Sequence, residues 1–153
     1  MANTYTQLYM QFVFAVKGRR SFVLPHFREE LEKYMCGISS NYKSKVLAIY
    51  CNPDHAHLLI SMPATISPSF LMDKVKGSSS KWVNRMGFLP QPFNWQDGFG
   101  VFSYSKSAVP TVAKYIHNQP IHHQNVPFRE EYPAMLTENG VEFDPKYLFE
   151  FYD

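Results

Sequence analysis

The segment Asp54-His55-Ala56-His57-Leu58-Leu59-Ile60 sets two imidazoles two positions apart in an otherwise apolar run. Side chains alternate faces along a strand, so His55 and His57 project together while Ala56, Leu58 and Ile60 enter a core. Two neutral imidazoles so placed can chelate one divalent cation and leave positions open for phosphate oxygens, as metal-assisted phosphate chemistry requires. Taken alone, a His-x-His pattern more often marks surface or hydrogen-bonded histidines. Two imidazoles also make a weak metal site, so a third ligand is required.

The segment Lys114-Tyr115-Ile116-His117-Asn118-Gln119 carries the second set of groups. Four residues apart on a helix, Tyr115 and Gln119 lie together, at the edge of the inward stripe. In a functional reading Tyr115 is a nucleophile and Gln119 an oxygen ligand that completes the metal site. The metal polarises a scissile phosphate and orients the leaving 3′ oxygen, while the phenolate forms a phosphotyrosine bond that conserves the energy of the cut. The chain has ten tyrosines, and Tyr115 can equally be read as an ordinary core-rim aromatic. Pro120 biases Gln119 away from helical conformation, which predicts fraying at the proposed ligand. His122 and His123 are then substitute ligands, and otherwise solvated polar residues. Asp54 reads either as a partner that orients one of the imidazoles or as a simple turn residue after Pro53.

The elements that position these groups follow from periodicity and turn chemistry. Tyr5 to Val16 is aromatic and β-branched enough for a long strand, ending in the turn Lys17-Gly18-Arg19-Arg20. A helix is expected from Pro25 to Ile38, with Phe27, Leu31, Tyr34 and Met35 inward. Val46 to Cys51 and His55 to Met62 form a hairpin through Asn52-Pro53-Asp54. Ser67-Pro68 starts a second helix, its inward face Leu71, Val75, Ser78, Trp82 and Met86. Phe88 to Gly98 reads as loop, Phe99 to Ser105 as strand, and Ser107 to Gln119 as a helix with Val109, Val112, Ala113 and Ile116 inward. A short acidic helix from Pro127 to Glu138 and an aromatic tail close the chain. The order β-α-β-β-α-β followed by further helices predicts a ferredoxin-like split βαβ sandwich of the α+β class, with an antiparallel sheet and additional C-terminal helices.

The 153 residues suit one domain, 1–153, and 45% hydrophobic with 16% aromatic residues is ample for a core. No apolar run reaches membrane-spanning length, and no basic-then-apolar leader with a small-residue cleavage site opens the sequence. Cys36 and Cys51 are too few for a disulfide framework and read as buried thiols of a reducing, cytoplasmic compartment. The net charge of +2 is unevenly spread. Residues 1–125 hold 13 Lys and Arg against 6 Asp and Glu, or +7; residues 126–153 hold 2 against 7, or −5. A basic body suits a polyanionic partner, although uneven solvated surface would give the same count. Lys17, Arg19, Arg20, Lys74, Lys76, Lys81 and Arg85 are candidates for a phosphate track, with Phe99, Phe102 or Trp95 as stacking platforms.

Together these segments carry a family resemblance. The sequence resembles the single-tyrosine HUH transposases of the insertion-sequence two-hundred/six-hundred-five superfamily, which include transposase-like proteins linked to repetitive extragenic palindromes. The likeness runs through Phe14-Ala15-Val16-Lys17, Asn52 to Ile60, Lys76-Gly77-Ser78-Ser79-Ser80-Lys81-Trp82, Trp95-Gln96-Asp97-Gly98-Phe99-Gly100 and Tyr115 to Gln119, in that order. The resemblance implies a homodimeric enzyme that recognises hairpins in single-stranded DNA. It implies that His55, His57 and Gln119 bind Mg²⁺ or Mn²⁺ and that Tyr115 leaves a 5′-phosphotyrosine and a free 3′-OH. It further implies composite active sites, in which the tyrosine helix of one subunit serves the partner. A domesticated relative acting on genomic palindromes would use the same chemistry, and two other readings stand beside it. A non-catalytic nucleic-acid-binding protein on the same scaffold would form no covalent adduct. A metal phosphodiesterase using water would want more histidine or carboxylate ligands and would leave Tyr115 without a role.

Overall fold

In the computed structural model, which describes residues 3–152, four strands form one antiparallel sheet in the order β2-β3-β1-β4. These are β1 (Tyr9–Ala15), β2 (Lys45–Cys51), β3 (His55–Ser61) and β4 (Gly100–Tyr104). The helices are α1 (Pro25–Asn41), α2 (Pro68–Met86), α3 (Val109–His117), α4 (Gln119–His122) and α5 (Phe128–Glu138). This is the expected α+β, split βαβ arrangement with appended helices. The first strand begins four residues later than expected. Tyr9 is the last residue that finds partners on both sides, Ser61 on β3 and Tyr104 on β4.

Alternation along β1 and β3 divides the molecule into two layers. Phe12, Phe14, Val16, Ala56, Leu58 and Ile60 face α1 and α2, where they meet Phe27, Leu31, Met35, Leu71 and Val75. The opposite face presents Val13 and Ala15 to Phe128, Tyr132, Met135 and Leu136 of α5. On that same face Leu59 meets Val112 and Ile116 of α3. His55 and His57 share this second face with Leu59. They are therefore roofed by the C-terminal helices and not left to solvent.

The second helix turns differently from expectation. Its buried positions are Leu71, Met72, Val75, Ser79 and Val83, whereas Met86 is 50% exposed. The helix packs along its i, i+4 ridge, so the stripe drifts away from Ser78, Trp82 and Met86. Trp82 is half-buried and stacks on Tyr34, with ring centroids 4.6 Å apart. Ser67 caps the helix as expected, its Oγ accepting from Phe70 N at 3.0 Å.

Gly100 opens β4 where a side chain would collide. A Cβ there would lie 2.7 Å from the Tyr132 hydroxyl and 2.8 Å from its ring. Gly100→Ala should destabilise the fold by about 1–3 kcal/mol through overpacking, read as a lower urea midpoint. An unchanged midpoint would show that Tyr132 moves aside freely.

The acidic tail packs on the body. Tyr152 accepts from Gly18 N at 2.7 Å, Arg19 donates to Tyr152 O at 3.2 Å, and Gln96 exchanges two bonds with the Glu150 backbone. The tail thus lies against the basic turn that follows β1.

Candidate functional site

The tight turn after β2 starts the site. Asn52 N donates to His55 O at 2.7 Å, which closes the hairpin, and Asp54 O accepts from Val16 N at 2.9 Å. His55 and His57 then enter β3 side by side, opposite Ala15 and Val13 of β1. They are 1% and 0% exposed. Phe128 of α5 stacks flat on His55, 3.8 Å between ring centroids, and fixes that ring's plane.

Each imidazole has its Nδ1 tied to an acceptor. His55 Nδ1 lies 2.6 Å from Asp54 Oδ1, and His57 Nδ1 lies 2.8 Å from Gln11 Oε1. Gln11 Nε2 donates to the Tyr104 hydroxyl, so its oxygen is the atom that accepts. In its neutral form each ring would carry its hydrogen on Nδ1 and present the Nε2 lone pair toward Glu131; when protonated, each would donate from Nε2 instead. Asp54 stands where an orienting partner of a metal-binding imidazole would stand.

The chain breaks its helix at Asn118 and resumes with α4, whose first turn contains Pro120. Proline lacks an N–H and is tolerated there, so the break falls before Gln119 and α4 begins on it. Gln119 is fully buried and ordered by three partners. Its Oε1 accepts from Asn52 Nδ2 at 3.0 Å and lies 2.8 Å from His123 Nε2, while its Nε2 donates to Glu131 Oε2 at 3.0 Å.

Glu131 is the residue that sequence reasoning missed. It is 3% exposed and sits at the centre of the cluster. Its Oε1 faces His55, His57 and His123 Nε2 at 3.2, 3.1 and 3.1 Å. Its Oε2 accepts from Gln119 and from the Tyr115 hydroxyl. His122 Nε2 lies 3.3 Å from the same oxygen, yet it is buried without a hydrogen bond among the described residues. His122 and His123, expected as substitute ligands or else as solvated residues, both turn toward Glu131 because α4 folds back toward the sheet. The one available signal was helical spacing: Phe128, Glu131, Tyr132 and Met135 share one side of α5, which sets a carboxylate on an apolar face where it needs partners.

The electrostatics follow from this packing. Burial alone would raise Glu131, but the charge on His57 and hydrogen bonds from His123, His55 and His57 hold it well below the usual carboxylate range. Burial, then the charge and hydrogen bond of Glu131, push the Tyr115 phenol well above its ordinary value. His57 is lowered by burial. His55 is raised, because bonds to Asp54 and Glu131 outweigh its burial.

The donor set fits a divalent cation. His55, His57, His123 and Glu131 each bring one ligand atom, all within 4.8 Å of one another. Three lone-pair nitrogens facing one carboxylate oxygen repel it unless a cation, either a proton or a metal, lies between them.

The candidate phosphate contacts do not gather here. Lys74, Lys76, Lys81 and Arg85 belong to α2, which packs on the opposite face of the sheet. Lys76 donates to Gln96 O and Gly98 O, both at 2.7 Å, which ties the 95–98 loop to α2. With Lys81, Asn84, Asn94 and Phe99 it lines a cleft of about 550 Å³. Lys17, Arg19 and Arg20 stand in the turn after β1, at the same end of the sheet as the histidines. Of the aromatic candidates, Trp95 and Phe102 are core residues at 4% exposure each, and Phe99 is half-buried.

Fold and cluster define an α+β domain in which a His-x-His strand and a tyrosine helix meet under a C-terminal roof. Residues 4–119 match the family described as Transposase IS200 like, and the chain belongs to that family. Two solved structures share the fold. A candidate transposase from Deinococcus radiodurans R1 is 20% identical with a TM-score of 0.62, over 78% of this chain and 95% of that one. The REP-associated tyrosine transposase bound to a REP hairpin is 16% identical with a TM-score of 0.60, over 100% of this chain and 93% of that one. No curated protein matches the sequence. Among the described residues no helix is long and apolar enough to cross a membrane.

Proposed function

We propose that this protein is a metal-dependent transposase that cleaves and rejoins single-stranded DNA beside hairpins, with Tyr115 as the nucleophile. The observation that carries the reading is the convergence of the Tyr115 hydroxyl, two imidazole Nε2 atoms and the Gln119 amide on one carboxylate, within a single chain. His55 and His57, with Gln119 by the family pattern, would hold Mg²⁺ or Mn²⁺. Such an ion supplies Lewis-acid polarisation of the scissile phosphate and stabilises charge on the leaving oxygen.

The chain's own groups do the rest. The Tyr115 oxygen attacks phosphorus, its O–P bond forming as the P–O3′ bond breaks, so the products are a 5′-phosphotyrosine and a 3′-OH. The phenol proton passes to Glu131 Oε2 along the existing hydrogen bond, and water protonates the departing 3′ oxygen. Burial of the cluster under α4 and α5 limits hydrolysis of the covalent bond, which favours rejoining by a 3′-OH. Lys17, Arg19 and Arg20 offer phosphate contacts at the near end of the sheet; Lys74, Lys81 and Arg85 offer them on the far face.

The partner is hairpin DNA in the cytoplasm. In support, the REP-associated relative was solved on a REP hairpin. A second reading is a domesticated protein acting on genomic palindromes, which the same chemistry would serve and which flanking DNA would distinguish. A homodimer is the expected assembly. Tyr115 faces its own chain's histidines, so such a dimer would not have to exchange tyrosine helices.

The test is incubation of the protein with labelled single-stranded hairpins and Mn²⁺, followed by denaturing electrophoresis. A covalent protein–DNA band that disappears with chelator is expected. A wild-type protein that binds hairpins from its own genome yet forms no adduct would instead be a non-catalytic binding protein.

A further inference from the structure

We infer that the metal ligands extend beyond the paired histidines to His123 and Glu131. The inference rests on the metal-dependent reading above and changes the residues that carry it.

Gln119 Oε1 accepts from Asn52 Nδ2 at 3.0 Å and lies 2.8 Å from His123 Nε2, and its amide nitrogen donates to Glu131 at 3.0 Å, so it helps to hold both added groups in place. His123 Nε2 stands 3.1 Å from Glu131 Oε1, the same oxygen that His55 and His57 face, and the four ligand atoms lie within 4.8 Å of one another. Three imidazoles and a carboxylate are an ample set for a divalent ion, whereas two imidazoles and a neutral amide are sparse.

The two oxygens of Glu131 divide the work. Oε1 faces the three histidines, while Oε2 accepts from Tyr115 and Gln119. One carboxylate thereby joins the ion site to the proposed nucleophile. Both added ligands lie past residue 119, where the family match ends. The donor types also choose the ion. Imidazole-rich sites favour Mn²⁺ and Co²⁺ over Mg²⁺, which prefers oxygen ligands and retained water.

Calorimetric titration of the metal-free full chain with MnCl₂, CoCl₂ and MgCl₂ tests this, together with pulsed electron paramagnetic resonance of the Mn²⁺-loaded wild type to count coordinated imidazole nitrogens. Three nitrogens are expected, with Mn²⁺ binding at least roughly tenfold tighter than Mg²⁺. Glu131→Gln and His123→Ala should each weaken Mn²⁺ roughly 10-fold or more. Two nitrogens, or wild-type affinity in both Glu131→Gln and His123→Ala, would overturn the inference. The nitrogen count uses the unaltered chain, so it decides the matter even if a variant does not fold. If Mn²⁺ binding needs His55 and His57 but neither His123 nor Glu131, only this inference fails. If the wild type binds none of the three ions, the metal-dependent reading fails with it.

Discussion

Tyr115→Phe should form no covalent complex with hairpin DNA, and strand cleavage should fall by roughly 10³-fold or more. The substitution removes one oxygen and little else. The ring stays edge-on to His57 and His122, with centroids 5.8 and 5.4 Å away. Glu131 Oε2 keeps its bond from Gln119. The loss in stability should therefore stay near the value of one hydrogen bond to a charged group, about 1.5–3 kcal/mol. Hairpin affinity, measured by gel shift, should be preserved because no phosphate-facing charge is touched. An adduct that survives in Tyr115→Phe would place the nucleophile on another residue and end the assignment.

His57→Ala should abolish the adduct as completely, for a different reason, and should also cost the fold more. The ring bridges Gln11 on β1 and Glu131 on α5 from a fully buried position. Its removal leaves an amide oxygen and a carboxylate oxygen short of partners where water is excluded. Each such group costs about 1–3 kcal/mol. Glu131 should also move upward in pKa, since its charge would lose the largest opponent of its burial. His55→Ala should lose the adduct with a smaller penalty, because Asp54 is only partly buried and can be rehydrated. Urea midpoints of both variants, alongside Mn²⁺ titrations, check the ordering. A His57→Ala protein with wild-type stability and an intact adduct would exclude this histidine from both roles.

Much of the architecture was legible because it is written in local patterns. The pairing of β2 with β3 followed from Asn52-Pro53-Asp54 between two β-rich runs, and the start of α2 followed from Ser67-Pro68. Alternation in Asp54 to Ile60 placed His55 and His57 on one face. The inward face of α2 was misjudged after Val75, since a 3.6-residue period admits either Ser78 or Ser79. The folded helix buries the latter, whose hydroxyl accepts from the Trp95 indole at 3.0 Å. His122 and His123 stay open between ligand and solvated residue for a related reason. Their direction depends on how α4 turns after Asn118, and no periodicity extends through a helix of four residues.

The sequence by itself determined the strand that carries two imidazoles, the helix that carries Tyr115, and the family to which they belong. All are encoded within short windows or in the order of such windows. Only the tertiary structure decided what stands between those groups. Glu131 is 74 residues from His57 and 16 from Tyr115, yet it touches both. No local signal specifies that meeting. It arises because α5 must bury Phe128, Tyr132, Met135 and Leu136 on the open face of the sheet, and that burial carries the carboxylate between them into the cluster.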